Sequence, residues 1–347
     1  MPTTPDARTP RRIVVLQNTL LVLFGLAAGL GASELVARVA YGQPWYSHLA
    51  DEQRTNETLN YRMNAYDLRG DDFETPKPPD HRRVYMAGDS FTFGMGVRDG
   101  SLVMPALVEA ELNRSPPVAG VDAFDVLNGG MLKASLPRDW LKKWGQVGEP
   151  YDPDVVLIVF FLRDGTNTGS IPAFFNVIRN EIAERNNADP WYRRSYLFRT
   201  FRDRKDRQLV AGRYTEAFRR AYFGTEEEQE EWRDAQYRML KLKEAAEARG
   251  AVVGMVTYPI LVNLAANEPY PFQDICDLLA DFARSHDLPL LELLPSFRGE
   301  HGPSLWVSAF DQHPNEKGHA IAADAVTPFV EDLLRRAEAR RDAAATP

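Results

Sequence analysis

The chain has 347 residues, of which 44% are hydrophobic and 26% charged, so it can bury a core of ordinary size for a globular protein. Its formal net charge of −8 argues against a general affinity for nucleic acid, and we predict no nucleic-acid partner. Cys276 is the single cysteine, which excludes an intrachain disulfide and a cysteine-based metal cluster.

An uncharged, mostly apolar stretch at residues 13–33 follows three arginines. A helix of this length rises about 31 Å, enough to cross the hydrocarbon core of a bilayer. The positive-inside rule then predicts a cytoplasmic tail at residues 1–12, a single-pass transmembrane anchor at residues 13–33, and an extracytoplasmic remainder in the periplasm or at the cell surface. The alternative is a cleaved signal peptide. The apolar run is long for one, but the small residues at 27–33 could contain a cleavage site.

After the apolar stretch comes first a polar segment and then a region of alternating strand and helix patterns. Residues 34–80 are polar and become rich in proline, which predicts a linker between the membrane and a folded domain. Apolar runs of strand length then alternate with helical patterns, and this alternation predicts an α/β fold whose parallel sheet is buried on both faces. The five runs are residues 84–87, 124–127, 155–162, 252–258 and 289–294.

About ninety residues separate the third apolar run from the fourth, which interrupts this rhythm. Within the interval, an acidic run at residues 226–231 precedes an amphipathic helical pattern at residues 232–248. Active sites in such sheets lie beyond the carboxyl ends of the strands. We interpret residues 168–248 as a helical insertion over that edge. The alternative is a solvated helical decoration held by its own ion pairs.

The first apolar run ends in the sequence GDSFTFG at residues 88–94. A serine at a strand-to-helix turn projects into the cleft at the carboxyl edge of the sheet, and the helix N-terminus behind it can face an anion. A serine hydroxyl is a poor nucleophile until a base takes its proton. Ser90 is therefore the candidate nucleophile.

Asp311 and His313 lie in the sequence DQHPN, just before the last helical pattern. Histidine titrates near neutral pH, so it can act first as a base and then as an acid. The two-residue spacing lets the carboxylate reach the second ring nitrogen and fix the tautomer. Ser90, His313 and Asp311 are thus available as nucleophile, base and orienting group.

With GDSFTFG and DQHPN in this order, about 220 residues apart, the chain resembles the SGNH/GDSL hydrolase family, in particular its membrane-anchored bacterial members. The resemblance implies a flavodoxin-like three-layer α/β/α sandwich with a parallel sheet at residues 81–340, interrupted by the helical insertion. It also implies that Ser90 is the nucleophile, His313 the base and Asp311 its orienter. No cluster of His, Asp and Glu has convincing metal spacing, so we predict no metal and no other cofactor.

Two further sequence blocks of the family supply donors to the oxyanion, and both are altered in this chain. The second block usually reads N-x-G-x-x-G; here Gly130 is kept and Lys133 replaces the last glycine. The backbone N–H at position 133 survives the change, but the lysine side chain could obstruct the approach. The third block usually reads N-D, and here Arg163 occupies the asparagine position before Asp164.

Arg163 has two interpretations. Its guanidinium has five donors and could stabilise an oxyanion more strongly than an amide does. It could equally be locked in a structural ion pair with Asp164 or Asp89. Asn167, four residues further on, is a candidate replacement for the missing asparagine.

The resemblance implies an esterase or deacylase that acts outside the cytoplasm on an acyl ester or an acylated carbohydrate. One alternative is an O-acyltransferase that modifies a cell-surface polysaccharide with the same triad, an analogy at the level of the fold. A second alternative is a catalytically degenerate binding module, suggested by the two altered oxyanion blocks.

Overall fold

The computed structural model describes residues 11–40, 60–132, 137–166, 195–308 and 311–345. In chain order, the α-helices among them are α1 Arg11–Ala40, α2 Ser90–Phe93, α3 Met104–Arg114, α4 Pro137–Tyr151, α5 Tyr196–Phe223, α6 Glu230–Glu247, α7 Gln273–Ser285, α8 Leu294–Phe297 and α9 Glu316–Ala345. The strands are β1 His81–Gly88, β2 Ala123–Gly130, β3 Val155–Phe161, β4 Val252–Tyr258 and β5 Leu290–Glu292. The chain divides into two compact units, Met1–Ser47 with Phe175–Gly212, and His48–Phe174 with Arg213–Pro347.

The first unit contains helix α1, whose side chains at residues 15–40 are almost all exposed. Among the described residues, Val15–Ala40 is the one helical stretch long and apolar enough to cross a membrane, although a signal sequence near an N-terminus meets the same criteria. The helix continues beyond residue 33, because Glu34 and Arg38 carry charge without interrupting helical hydrogen bonding.

Within the same unit, Glu34 caps the first turn of α5. Its two carboxylate oxygens accept hydrogen bonds from the backbone N–H groups of Tyr196, at 2.8 Å, and Leu197, at 2.9 Å. The first N–H groups of a helix have no partner inside the helix, and a carboxylate also suits the positive end of the helix dipole. Arg38 lies over the Tyr196 ring, with 5.0 Å between the guanidinium carbon and the ring centroid. The end of α1 and the start of α5 are therefore held together by two hydrogen bonds and a cation–π contact.

The second unit contains one parallel sheet of five strands in the order β2-β1-β3-β4-β5. Each of the five apolar runs in the sequence corresponds to one of these strands, so the predicted α/β fold is confirmed. β3 and β4 are buried at every position. Strands in the middle of a parallel sheet are covered on both faces, which explains why their sequences are continuously apolar.

Helices cover both faces of the sheet and produce three layers. α3 and α9 pack on one face, where a side chain at Gly254 of β4 would lie only 2.6 Å from Leu333 of α9. α4, α6 and α7 cover the other face. There Trp232 of α6 contacts Phe160 of β3 and Phe282 of α7, with ring centroids 6.0 and 5.6 Å apart. The core lies in these two interfaces between helices and sheet.

The insertion predicted at residues 168–248 is described from residue 195 onward and contains α5 and α6. Its last helix belongs to the core, because Met239 and Leu242 of α6 are fully buried. A parallel connection from β3 to β4 needs a crossover that packs on the sheet, and α6 supplies it. The amphipathic pattern at residues 232–248 therefore marks part of the sandwich rather than part of a surface decoration. Residues 168–194 lie outside the described residues.

The segment expected to be a linker, residues 34–80, is structured at both ends. α1 occupies its first residues, and residues 60–80 belong to the second unit. Leu68 is only 1% exposed, and the amide of Asn64 donates to the hydroxyl of Tyr151 at 3.2 Å. Residues 41–59 lie outside the described residues.

Glu109 on α3 is expected to make stability depend on pH. Its carboxylate accepts a hydrogen bond from the Val126 N–H at 2.7 Å. Burial raises the pKa of Glu109 to about 7, with smaller contributions from the negative charges of Asp125 and Asp71. The stability due to this group is complete below the ordinary value of 4.5 and is lost as the pH rises through 7. The free energy of unfolding should fall by about 3 kcal/mol over this range of pH.

Glu109→Gln keeps the acceptor and removes the titration, so its stability should change much less than that of the parent between pH 5 and pH 8. Glu111→Gln is the matched control, since Glu111 lies on the same helix in a surface pair with Arg114 at 2.6 Å. Melting temperatures of the three proteins in detergent at both pH values provide the comparison. Equal losses for the parent and Glu109→Gln would show that another group is responsible.

Candidate active site

Ser90 is held at a sharp turn between β1 and α2. Asp89 caps the short helix, since its carboxylate accepts a hydrogen bond from the Phe91 N–H at 2.8 Å. The helix ends after Phe93 at Gly94, which has a positive φ of 82° that favours glycine. Ser90 is therefore fixed at the carboxyl edge of the sheet, where side chains from neighbouring strand ends converge.

The loop that carries His313 is fixed by hydrogen bonds just before α9. The Val307 N–H donates to the carbonyl of His313 at 2.9 Å. The side-chain amide of Asn315 donates to the carbonyls of Ser304 and Trp306, each at 3.0 Å. This network ties both sides of the loop to the segment at residues 304–307 and leaves the imidazole little freedom to move.

The fold brings Ser90, His313 and Asp311 together. His313 Nε2 lies 2.9 Å from Ser90 Oγ, although the two residues are 223 positions apart in the chain. His313 Nδ1 lies 2.5 Å from Asp311 Oδ1, and the same oxygen accepts the backbone N–H of His313 at 3.1 Å. With the Nδ1 proton on the aspartate side, Nε2 is left to accept the serine proton. The geometry is thus suited to activate a serine hydroxyl.

An aromatic ring lies against the imidazole. Phe91 stacks on Phe161 with ring centroids 3.8 Å apart and an angle of 18° between the planes. The Phe91 ring also lies 5.3 Å from His313 and 5.2 Å from Tyr258. Phe91, held in place by its two aromatic neighbours, therefore packs against the imidazole and restricts its orientation.

Arg163 lies in the 3₁₀ turn Leu162–Gly165 that directly follows β3, so it too belongs to the carboxyl edge of the sheet. Its guanidinium carbon lies 5.5 Å from the centroid of the Phe161 ring. Among the described residues, Arg163 forms no ion pair within 4.0 Å, and neither Asp89 nor Asp164 is that close to it. This half-buried arginine therefore lies near the two carboxylates without being locked to either of them.

Asp89 and Asp164 are two buried carboxylates beside Ser90 and Arg163. Burial raises the pKa of Asp89, while the positive charge of Arg163 and a hydrogen bond from Phe91 oppose that rise. The pKa of Asp164 is raised further, by burial and by the negative charge of Asp89. The positive charge of Arg163 thus opposes the rise in the pKa of both carboxyl groups.

Gly130 ends β2 and packs against α2. A side chain at this position would lie 2.1 Å from the backbone nitrogen of Phe93, so only glycine fits. The Gly130 N–H donates to the side-chain oxygen of Asn128 at 3.0 Å. It can therefore donate to an oxyanion only if that bond is exchanged. The other two predicted donors, Lys133 and Asn167, lie outside the described residues.

Arg69 supports the nucleophile turn and was not predicted from the sequence. Its buried guanidinium donates to the carbonyls of Phe93, Gly94 and Val97 at 2.9, 2.6 and 2.7 Å. It also lies over the ring of Tyr61, with 4.6 Å between the guanidinium carbon and the ring centroid. A lone arginine in a polar segment gives no signal of such long-range contacts.

Comparisons with known proteins place this site in a family. Residues 86–321 match the GDSL-like Lipase/Acylhydrolase family. The lipase/acylhydrolase from Enterococcus faecalis is 13% identical to this chain, with a TM-score of 0.40. The match covers 72% of this chain and 96% of the Enterococcus faecalis protein. The psychrotrophic esterase EstA from Pseudoalteromonas sp. is 12% identical, with coverages of 73% and 99% and a TM-score of 0.41.

A variant of an acetyl-xylooligosaccharide esterase from Geobacillus Stearmophilus is 17% identical, with coverages of 73% and 94% and a TM-score of 0.38. The search of curated protein sequences found no match. The matched residues include Ser90, near their start, and His313, near their end.

The fold and the matched family define a serine hydrolase that acts on esters. The chain belongs to the GDSL-like lipase/acylhydrolase family, because the match spans more than half of its length. The resemblance that GDSFTFG and DQHPN indicated in the sequence is confirmed.

Proposed function

We propose that this protein is an extracytoplasmic esterase in which Ser90 attacks the ester, His313 is the general base and Asp311 orients His313. The observation that carries the proposal is the continuous contact from Ser90 Oγ to His313 Nε2, at 2.9 Å, and from His313 Nδ1 to Asp311 Oδ1, at 2.5 Å. A serine and a base within hydrogen-bond reach, with the base oriented by a third group, are the arrangement that nucleophilic catalysis requires.

The reaction proceeds through an acyl-enzyme. As Ser90 Oγ attacks the carbonyl carbon, its proton moves to His313 Nε2, and the imidazolium is stabilised by ionised Asp311. His313 then gives this proton to the leaving alcohol oxygen when the ester C–O bond breaks. In the second half, water attacks the acyl group on Ser90 and transfers a proton to His313. The carboxylic acid leaves as Ser90 Oγ takes that proton back.

The negative charge on the carbonyl oxygen needs donors at the same edge of the sheet. Ser90 is the first residue of α2, so its backbone N–H has no partner inside that helix. Arg163 follows β3 without an ion pair to the nearby aspartates, so its guanidinium is available as a second donor. The N–H of Lys133 and the amide of Asn167 remain predicted donors, and Gly130 becomes one only by releasing Asn128.

Helix α1 supports the proposed extracytoplasmic location. Its apolar stretch begins directly after arginines, which favours a short cytoplasmic tail, a membrane anchor and a catalytic domain on the other side. The substrate would then be an acyl ester outside the cytoplasm, such as an acylated carbohydrate. The same acyl-enzyme could transfer its acyl group to a sugar hydroxyl instead of water, and the experiment below separates these outcomes.

The test is a product balance with the purified full-length protein in detergent. It is incubated with a nitrophenyl ester of a short acyl chain, with and without a methyl glycoside as competing acceptor. We expect one free carboxylic acid for each nitrophenol released, whether or not the glycoside is present. Ser296→Ala is the matched control, because Ser296 is an exposed serine on α8 and its loss should leave the rate unchanged.

Acylated glycoside as the main product would replace hydrolysis by acyl transfer. Nitrophenol release no faster than that from buffer would reject ester cleavage by this site and favour a binding module.

A further inference from the structure

The first turns of α5 present an exposed face made of an aromatic ring and positive charges. Phe201, Arg204, Lys205 and Gln208 are all exposed, and their spacing of three or four residues places them on one side of the helix. Phe201 is 65% exposed, which is unusual for a ring of this size. Arg204 and Lys205 form no ion pair within 4.0 Å with any other described residue. This face of α5 therefore has no ionic partner among the described residues.

The acidic side chains of the same turns point away from that face. Asp206 is only 2% exposed, and Asp203 is largely buried with its carboxylate 3.8 Å from Arg199. Residues 196–212 contain no other acidic residue. The exposed face thus carries positive charge, an aromatic ring and a neutral amide, although the whole chain has a net charge of −8. Such a face is complementary to a negatively charged surface.

This face lies next to the candidate membrane span in the first unit. Glu34 and Arg38 of α1 contact the first turn of α5, as described above. The stretch Val15–Ala40 has 26 residues and rises about 39 Å as a helix, which exceeds the roughly 30 Å of a hydrocarbon core. With α1 anchored as proposed, its last turns would reach the level of the lipid headgroups, and the start of α5 would reach that level with them.

We propose that the exposed face of α5 at residues 201–208 binds the headgroups of anionic phospholipids in the bilayer that α1 spans. Arg204 and Lys205 contact the phosphates, and Phe201 inserts at the boundary between headgroups and acyl chains. Cationic residues beside an aromatic ring are the combination that holds helices at an anionic membrane surface. The inference rests on the proposed anchoring by α1 and goes beyond the esterase activity.

The experiment places a fluorophore on this face of the full-length protein. Cys276 is buried and is replaced by alanine, so that Phe201→Cys supplies the only reactive thiol for a polarity-sensitive label. The labelled protein is reconstituted into nanodiscs of phosphatidylcholine alone or with phosphatidylglycerol. We expect emission at shorter wavelength, and quenching by lipids with a nitroxide in the headgroup region, when phosphatidylglycerol is present. Adding Arg204→Glu and Lys205→Glu should remove most of that quenching.

Two controls make the result specific. Lys142→Glu with Arg249→Glu gives the same change in net charge at two exposed positions of the second unit and should leave the quenching intact. A label at Leu23→Cys, in the middle of α1, should be quenched by nitroxides deep in the acyl chains and reports on anchoring alone.

Each remaining outcome overturns the inference in a recognisable way. A water-exposed label at residue 201 together with a deeply quenched label at residue 23 would reject the lipid contact while leaving the anchor in place. Equal quenching in both lipid mixtures would reject recognition of anionic headgroups. Energy transfer between labels on two chains, without lipid quenching, would show that a second copy covers this face. A label at residue 23 that stays in water would reject the anchor itself, and with it this contact.

Discussion

Ser90→Ala and His313→Ala are each expected to lower kcat/KM for a nitrophenyl ester by about 10⁴-fold or more, the loss that follows removal of a nucleophile or its base. The structure gives the reason, because His313 Nε2 lies 2.9 Å from the hydroxyl oxygen of Ser90 and can accept its proton. Both variants should fold, since the hydrogen bonds of the two side chains run to each other and to Asp311. Rates are measured on protein whose melting temperature matches the parent.

Asp311→Asn belongs to the same experiment. It should lower kcat/KM by less than His313→Ala does, or by an equal factor. An amide at position 311 would present the wrong group to Nδ1 and favour the tautomer that cannot accept the serine proton. His301→Ala is the control, since His301 is an exposed histidine far along the loop from the site and its loss should leave the rate unchanged. A parental rate for Asp311→Asn at every pH would mean that another residue orients His313.

Arg163→Ala should lower kcat by about 10²- to 10³-fold, equivalent to roughly 3–4 kcal/mol of transition-state stabilisation, the usual cost of one oxyanion donor. Arg163 follows β3 at the edge of the sheet that carries Ser90 and forms no ion pair within 4.0 Å among the described residues. Its removal should therefore change stability little. Arg163→Asn restores the residue type usual in the family and should recover part of the lost rate.

The measurement that separates the two interpretations of Arg163 takes kcat and melting temperature from the same preparation. Arg138→Ala is the matched control, because Arg138 lies on α4 in a surface pair with Asp234 at 3.6 Å and should affect neither quantity much. A lower melting temperature for Arg163→Ala, with kcat per folded molecule unchanged, would assign the arginine to a structural role beside Asp89 and Asp164. Backbone N–H groups would then be the main oxyanion donors.

The sheet and the two motifs were predictable because their signals are local. Strands β3 and β4 are apolar at nearly every position, which a parallel strand covered on both faces requires. Ser90 is followed by a short helix, and His313 precedes α9, so each motif indicates its own element. That the serine and the histidine meet at 2.9 Å depends on strand order, which the resemblance to a family implied and the residues alone did not.

The features that the sequence did not reveal depend on contacts between distant segments. Arg69 lies in a polar stretch expected to be a linker, yet it binds three carbonyls of the turn that follows Ser90. Gly130 fits the family pattern, but whether its N–H is available depends on Asn128, two residues before it. Likewise, nothing in the residues around Glu34 indicates that it caps a helix that begins 162 positions later.

Covalent labelling by a fluorophosphonate tests the central claim most directly, because such probes react only with a serine that its surroundings have activated. The full-length protein is treated in detergent, digested and analysed by mass spectrometry. We predict a single phosphonyl adduct, located on Ser90, whose formation is slowed at least as strongly by His313→Ala as ester turnover is. An adduct on a different serine, or equal labelling of Ser90→Ala and the parent, would contradict the assignment of the nucleophile.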